Sequence, residues 1–93
     1  MLTDAPLYTA QAQRLAMTAH DGIARAVRPA HSPLDGDTIF ALSTAQRPAA
    51  DSGALAMTPL CAAAADAVEE AIVNAVTAAE PGLGLSVYRD LLD

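Results

Sequence analysis

Ninety-three residues make at most one domain, and a chain this short buries only about 60 to 65% of the surface its unfolded form exposes. Hydrophobic residues are 53% of the sequence, but 23 residues are alanine, which buries little area, so a self-sufficient core is not expected. Eleven acidic side chains against five arginines and no lysine give a net charge of -6, which argues against nucleic acid and against an anionic membrane as partners.

In chain order, the first expected element is a helix over residues 10 to 27. Thr9 is placed to cap it, and Ala12, Leu15, Ala16, Ala19, Ile23, Ala26 and Val27 recur at helical spacing until Pro29 forbids continuation. Residues 29 to 37 carry two prolines and an Asp-Gly pair, and read as a loop. Thr38 to Ser43 sets Thr, Phe and Leu on one parity and Ile, Ala and Ser on the other, which predicts a strand covered on both faces. Residues 45 to 58 read as a variable surface connection, with a short second strand expected at Ala54 to Met57. Thr58-Pro59 then offers a capping hydroxyl before a proline at the first helical position.

A second helix is expected to run to about Ala79. Leu60, Ala64, Val68, Ile72 and Val76 form one i, i+4 row, with Asp66, Glu69, Glu70 and Asn74 on the other side. Pro81-Gly82 ends it, and Tyr88 closes the tail among leucines. A lone strand cannot satisfy its own edges, so the chain wants a sheet that it does not itself contain. A partner polypeptide or an upstream segment is therefore expected.

Cys61 is the single cysteine, so neither a disulfide nor a cysteine-based zinc site is expected within one chain, and a reducing, cytoplasmic setting fits. The opening MLTDAPLYTAQAQ lacks a basic region followed by an apolar run, and no export signal or membrane segment is expected.

The residues with chemistry cluster in HSPLDGDTIFALST, residues 31 to 44. Asp35 and Asp37 lie two apart, so in an extended segment both carboxyls project from one face, close enough to raise each other's pKa or share a proton. Such a pair could orient an amine, exchange a proton or ligate a hard cation, and the same pattern is met in a plain Asp-Gly turn leading into a strand. The cation reading lacks the distal glutamate of a calcium loop. His20 and His31 have no metal-binding spacing, so no metal or cofactor is expected. His20 reads as a partly buried helix residue and His31 as a ligand of loop backbone. Ser32 and Thr38 read as turn and strand hydroxyls, Arg25 and Arg28 as complements to a helix C-terminus, and Cys61 as a small core residue.

The run RLAMTAHDGIARAVRPAHSPLDGDTIFALST resembles the C-terminal portion of the DmpA-like aminopeptidases and D-esterases, a family that also holds β-aminopeptidases and nylon-oligomer hydrolases. The likeness covers residues 8 to 44 closely, resumes in the alanine-rich helix and ends at LSVYRDLL. The resemblance implies an α/β fold, a helix-strand-helix fragment of an αββα sandwich of the DmpA/ArgJ type. Residues 1 to 93 would form a single partial domain. It also implies a precursor that cuts itself into a large and a small chain, exposing a Ser or Thr whose own amine acts as base. In the nylon-oligomer branch an Asp-Gly-Asp lies beside that nucleophile, so Asp35 and Asp37 are the positions carried over as an orienting and acid-base pair. The nucleophile, the apolar strand that follows it, and the large-chain lysine and asparagine are expected to lie outside this sequence, with Thr3 too near the helix to replace them. On that reading the chain is inactive alone. Its partner is the upstream large chain, in an enzyme that forms homo-oligomers. The competing class is a noncatalytic, helix-rich interaction or dimerisation module, which explains the alanine-rich helix but not HSPLDGDTIFA.

Overall fold

The structure, a computed structural model, describes residues 1–49 and 53–92. Strand β1 (Leu2–Thr3) is followed by helix α1 (Thr9–Ala26), strand β2 (Leu42–Ser43) and helix α2 (Gly53–Ala78), and a 3-10 turn at Tyr88–Leu91 closes the chain.

Helix α1 forms where the apolar spacing predicts, shifted by one residue. Tyr8, not Thr9, is the capping residue, because Gln11 reaches back and its Oε1 accepts the Tyr8 N–H at 2.9 Å. This leaves Thr9 inside the first turn. At the other end Val27 turns extended, and its N–H closes the last bond to the Ile23 carbonyl at 2.9 Å.

Helix α2 corrects two expectations. Residues 54 to 57 are helical and form no strand, and Thr58-Pro59 is not a helix start, since Pro59 lies inside a helix that begins at Gly53. Ala54, Leu55 and Ala56 are good helix formers, and the hydrogen bond that Pro59 cannot donate is forfeited at Leu55, an exposed position where water can replace it. Thr58 Oγ1 donates to the Ala54 carbonyl at 2.8 Å, an intrahelical bond rather than a cap. The part of the expected variable connection at 50 to 52 lies outside the described residues. Beyond Ala78 the Pro81-Gly82 turn stops the helix, and the Arg89 guanidinium donates to the Ala79 carbonyl at 2.9 and 3.3 Å, where the helix dipole is negative.

The two helices pack more closely than side chains alone would allow. A Cβ placed on Gly22 would collide with the Ala65 carbonyl, and would lie 2.8 Å from Val68 Cβ and 2.9 Å from the Glu69 nitrogen. Leu15, Ala19 and Ile23 of α1 are buried here against Cys61, Ala64 and Ala65 of α2. Small residues let the backbones approach, and the contact is zipped at its rim by Arg25, whose Nη1 lies 2.8 Å from Asp66 Oδ1 and 3.9 Å from Glu69 Oε2. The row Leu60, Ala64, Val68, Ile72 and Val76 faces this contact along most of its length and then outruns it, leaving Val76 exposed.

Strand β2 is shorter than expected, and β1 was not expected at all. Leu2 and Thr3 pair in parallel with Leu42 and Ser43. Met1 N donates to the Phe40 carbonyl, Leu42 N–H to Met1, and Thr44 N–H to Thr3, at 2.8 to 3.0 Å. A ladder needs a partner at each rung, so regular pairing covers two residues although the extended alternation runs further. Ile39 and Ala41 turn inward with Met1 and, with Leu7, Met57, Leu60 and Val68, pack round the buried cluster. Thr38, Phe40 and Leu42 turn outward, where Leu2 joins them; Phe40 is 79% exposed. The strand is thus covered on one face and open on the other, against the expectation that both would be covered. None of the helices in the described residues is long and apolar enough to cross a membrane.

Candidate active-site loop

The loop between α1 and β2 is built by its prolines and by one left-handed residue. Pro33 supplies the fixed φ that a turn needs at its second position, and the turn closes with the Asp35 N–H on the Ser32 carbonyl at 2.9 Å. His31 takes a φ of 60°, uncommon outside glycine but tolerated by histidine better than by most residues. That backbone setting aims the His31 N–H at the Asp35 carboxylate, where it meets Oδ2 at 2.7 Å.

The structure therefore brings Asp35 and Asp37 together at a defined turn. The Asp35 carboxyl is held below its ordinary range, first by the His31 backbone N–H, then by a side-chain hydrogen bond with Asp37. The Gly36 backbone and the nearby His31 charge act in the same direction. The Asp35 carboxyl is accordingly held toward its ionised form. Gly36, Asp35 and Asp37 are all exposed, as are Ser32 and Leu34 beside them. The loop is an open shelf rather than a pocket, and what it can do chemically is present an anion and an adjoining carboxyl to a group brought from outside.

The remaining singled-out residues stand apart from this shelf. Cys61 is buried at the helix contact, as its small size suits. It floors a separate groove of about 670 Å³ between α1 and α2, walled by Arg14, Thr18, Met57 and Thr58, which shares no residue with the loop. Thr3 Oγ1 accepts the Ala5 N–H at 3.2 Å, and the Thr3 carbonyl accepts from Thr44, so the residue is tied into the turn after β1. Arg25 makes the ion pairs of the helix contact. Among the described residues no group of three His, Cys, Asp or Glu side chains could hold a metal ion.

The sequence reading missed one pairing. His20, half-buried on α1, and His31, on the loop, were read separately, yet their ring centroids lie 5.7 Å apart with planes inclined by 56°. No spacing rule links residues across a helix end and a proline turn, so only the loop path could reveal it. In addition, it is the His31 amide bonding a side chain, and not its ring bonding loop backbone, that shapes the turn.

Two helices on one side of a parallel strand pair, with an acidic turn at the strand entry, define an α/β fragment with one sheet face open. The chain belongs to peptidase family S58, whose profile matches residues 1–87. It is 46% identical over 97 residues to an uncharacterized aminopeptidase of Mycobacterium tuberculosis, and equally to one of Mycobacterium bovis. Those alignments cover 95% of this chain and 28% of each relative. An uncharacterized aminopeptidase of Mycobacterium leprae is 45% identical over 95 residues, covering 92% of this chain and 26% of the relative. The chain thus spans little more than a quarter of the length of these relatives and corresponds to a piece of a peptidase.

Proposed function

We propose that this chain is the C-terminal, small-chain portion of a self-processing amide hydrolase of the DmpA type, and that it contributes Asp35 and Asp37 beside a Ser or Thr nucleophile carried by the rest of the enzyme. The observation that carries this reading is the open apolar sheet face. Leu2, Phe40 and Leu42 turn away from the helices and are exposed, the last two directly after the acidic turn. A second sheet laid on that face would complete an αββα sandwich, and it would bring foreign residues over the shelf where Asp35 and Asp37 sit.

In the reaction, the nucleophile's hydroxyl attacks the substrate amide carbonyl and its proton passes to the nucleophile's own α-amine. The proton then leaves with the departing amine, and water hydrolyses the resulting ester. Asp35, held ionised by the His31 amide, orients the α-amine and balances the positive charge it gains. Asp37 supplies the adjoining carboxyl that adjusts this charge. Enzymes of this kind cut amides next to a free amino terminus, in keeping with the aminopeptidase names of the relatives. The substrate range extends to D-amides, β-peptides and nylon oligomers in the family resembled. The partners are the upstream large chain and further copies of the complete enzyme, acting in the cytoplasm, where an unpaired Cys61 is stable.

The experiment is reconstitution. The chain purified alone is expected to leave aminoacyl anilides intact, and co-expression with the upstream segment of the enzyme is expected to yield self-cleavage and turnover. Turnover by the chain alone that is lost on replacing Thr3 or Ser32 would place the nucleophile inside this sequence and overturn the assignment.

A further inference from the structure

The loop bearing Asp35 touches the helix layer through a contact that no catalytic reading uses. His20 stands on α1 beside Ala19, which is wholly buried, and its ring meets the ring of His31 at a centroid distance of 5.7 Å. His31 is also the residue whose amide donates to Asp35 Oδ2 at 2.7 Å, with a backbone φ of 60°. Ring and amide belong to one residue and are joined through its Cα, so seating the ring restricts the direction in which the amide can point. A left-handed non-glycine residue is strained and persists only where its surroundings hold it. Here two contacts hold it, one at the ring and one at the amide.

We propose that His20 and His31 are a positioning couple: His20 seats the His31 ring on α1, and the His31 amide passes that placement on to the Asp35 carboxylate. His20 thus acts on the acidic pair without touching it, and the register between α1 and the turn is set by imidazole-on-imidazole packing. The catalytic consequence rests on the function proposed above; the structural half does not.

The test follows the Asp35 carboxyl carbon by NMR against pH in the reconstituted enzyme with only this chain isotopically labelled, in the native sequence, in His20→Ala and in His20→Phe. In His20→Ala the unseated His31 turns its amide away, and the Asp35 midpoint is expected to climb toward the ordinary aspartate value of about 3.9. In His20→Phe an aromatic ring keeps the seat, and the midpoint is expected to stay low. An unchanged midpoint in His20→Ala, or an equal rise in both variants, would overturn the couple. In the reconstituted enzyme, His20→Ala is expected to lower kcat about tenfold to a hundredfold with KM little changed, as misplacement of a catalytic group does, and His20→Phe to restore most of it. A midpoint that moves while kcat does not would retain the couple and count against the catalytic role of Asp35, so the two ideas fail separately.

Discussion

The helix layer and the strand layer of this chain are finished to different degrees. Between α1 and α2 the backbones meet at Gly22 and Ala65, the side chains of Leu15, Ala19, Ile23, Cys61 and Ala64 are buried, and the rim is closed by Arg25 with Asp66 and Glu69. Between β1 and β2 the pairing lasts two residues, the inner face packs on the helices, and the outer face exposes Leu2, Phe40 and Leu42. The first is a close backbone contact with its apolar side chains inside. The second leaves large apolar side chains in solvent, and the acidic turn lies at the edge of that open face.

The contrast can be broken most readily at Gly22. Gly22→Ala gains helix propensity but sets a methyl against the Ala65 and Glu69 backbones, which cannot yield as a flexible side chain would. The expected net loss is about 1 to 3 kcal/mol, seen as an earlier urea midpoint of the helical circular dichroism signal. An unchanged midpoint would mean the helices are not in backbone contact.

Ile39 and Phe40 sharpen the comparison on adjacent residues. Ile39→Ser is expected to cost about 1 to 2 kcal/mol, because Ile39 packs on the core cluster. Phe40→Ser should leave the same midpoint within about 0.5 kcal/mol and reduce self-association in sedimentation, because that ring is largely exposed. Equal losses in the two variants would show the outer face to be already covered.

At the rim the effects are smaller. Both members of the Arg25–Asp66 pair are substantially exposed, so Arg25→Ala should shift the midpoint by less than about 0.5 kcal/mol and still less in high salt. The smallest effect is at the shelf. Because the folded Asp35 carboxyl lies below its unfolded value, its stabilising contribution is present above about pH 4, and is lost as pH falls through the lowered value. Acid titration of the loop resonances should show this loss, and Asp35→Asn should remove it.

Legibility in the sequence followed from how local each feature is. Helix α1 was readable because apolar spacing and Pro29 act over a few residues, and the parity of Thr38 to Ser43 grouped the residues that share a face. That one of those faces is open was misjudged, because an apolar alternation says nothing of what lies over either face. The start of α2 was misread because Thr58-Pro59 carries a strong start signal, which the helix-forming residues before it override. Strand β1 was missed because two residues carry no periodicity, and its pairing with β2 spans some forty positions. Asp35 and Asp37 could be singled out from their spacing, but the device that sets Asp35, a left-handed His31 seated on His20, is a property of the loop path.

The central claim is that Asp35 and Asp37 are catalytic in a peptidase of which this chain is a part. The most direct measurement is turnover of an aminoacyl anilide by the reconstituted enzyme carrying Asp35→Asn or Asp37→Asn, taken after self-cleavage of each variant has been verified. Asparagine keeps the shape and the turn but removes the charge, so the expected result is a fall of about 10² to 10⁴ in turnover with assembly intact. Near-normal turnover in both matured variants would contradict the claim and leave HSPLDGDTIFA as a structural turn.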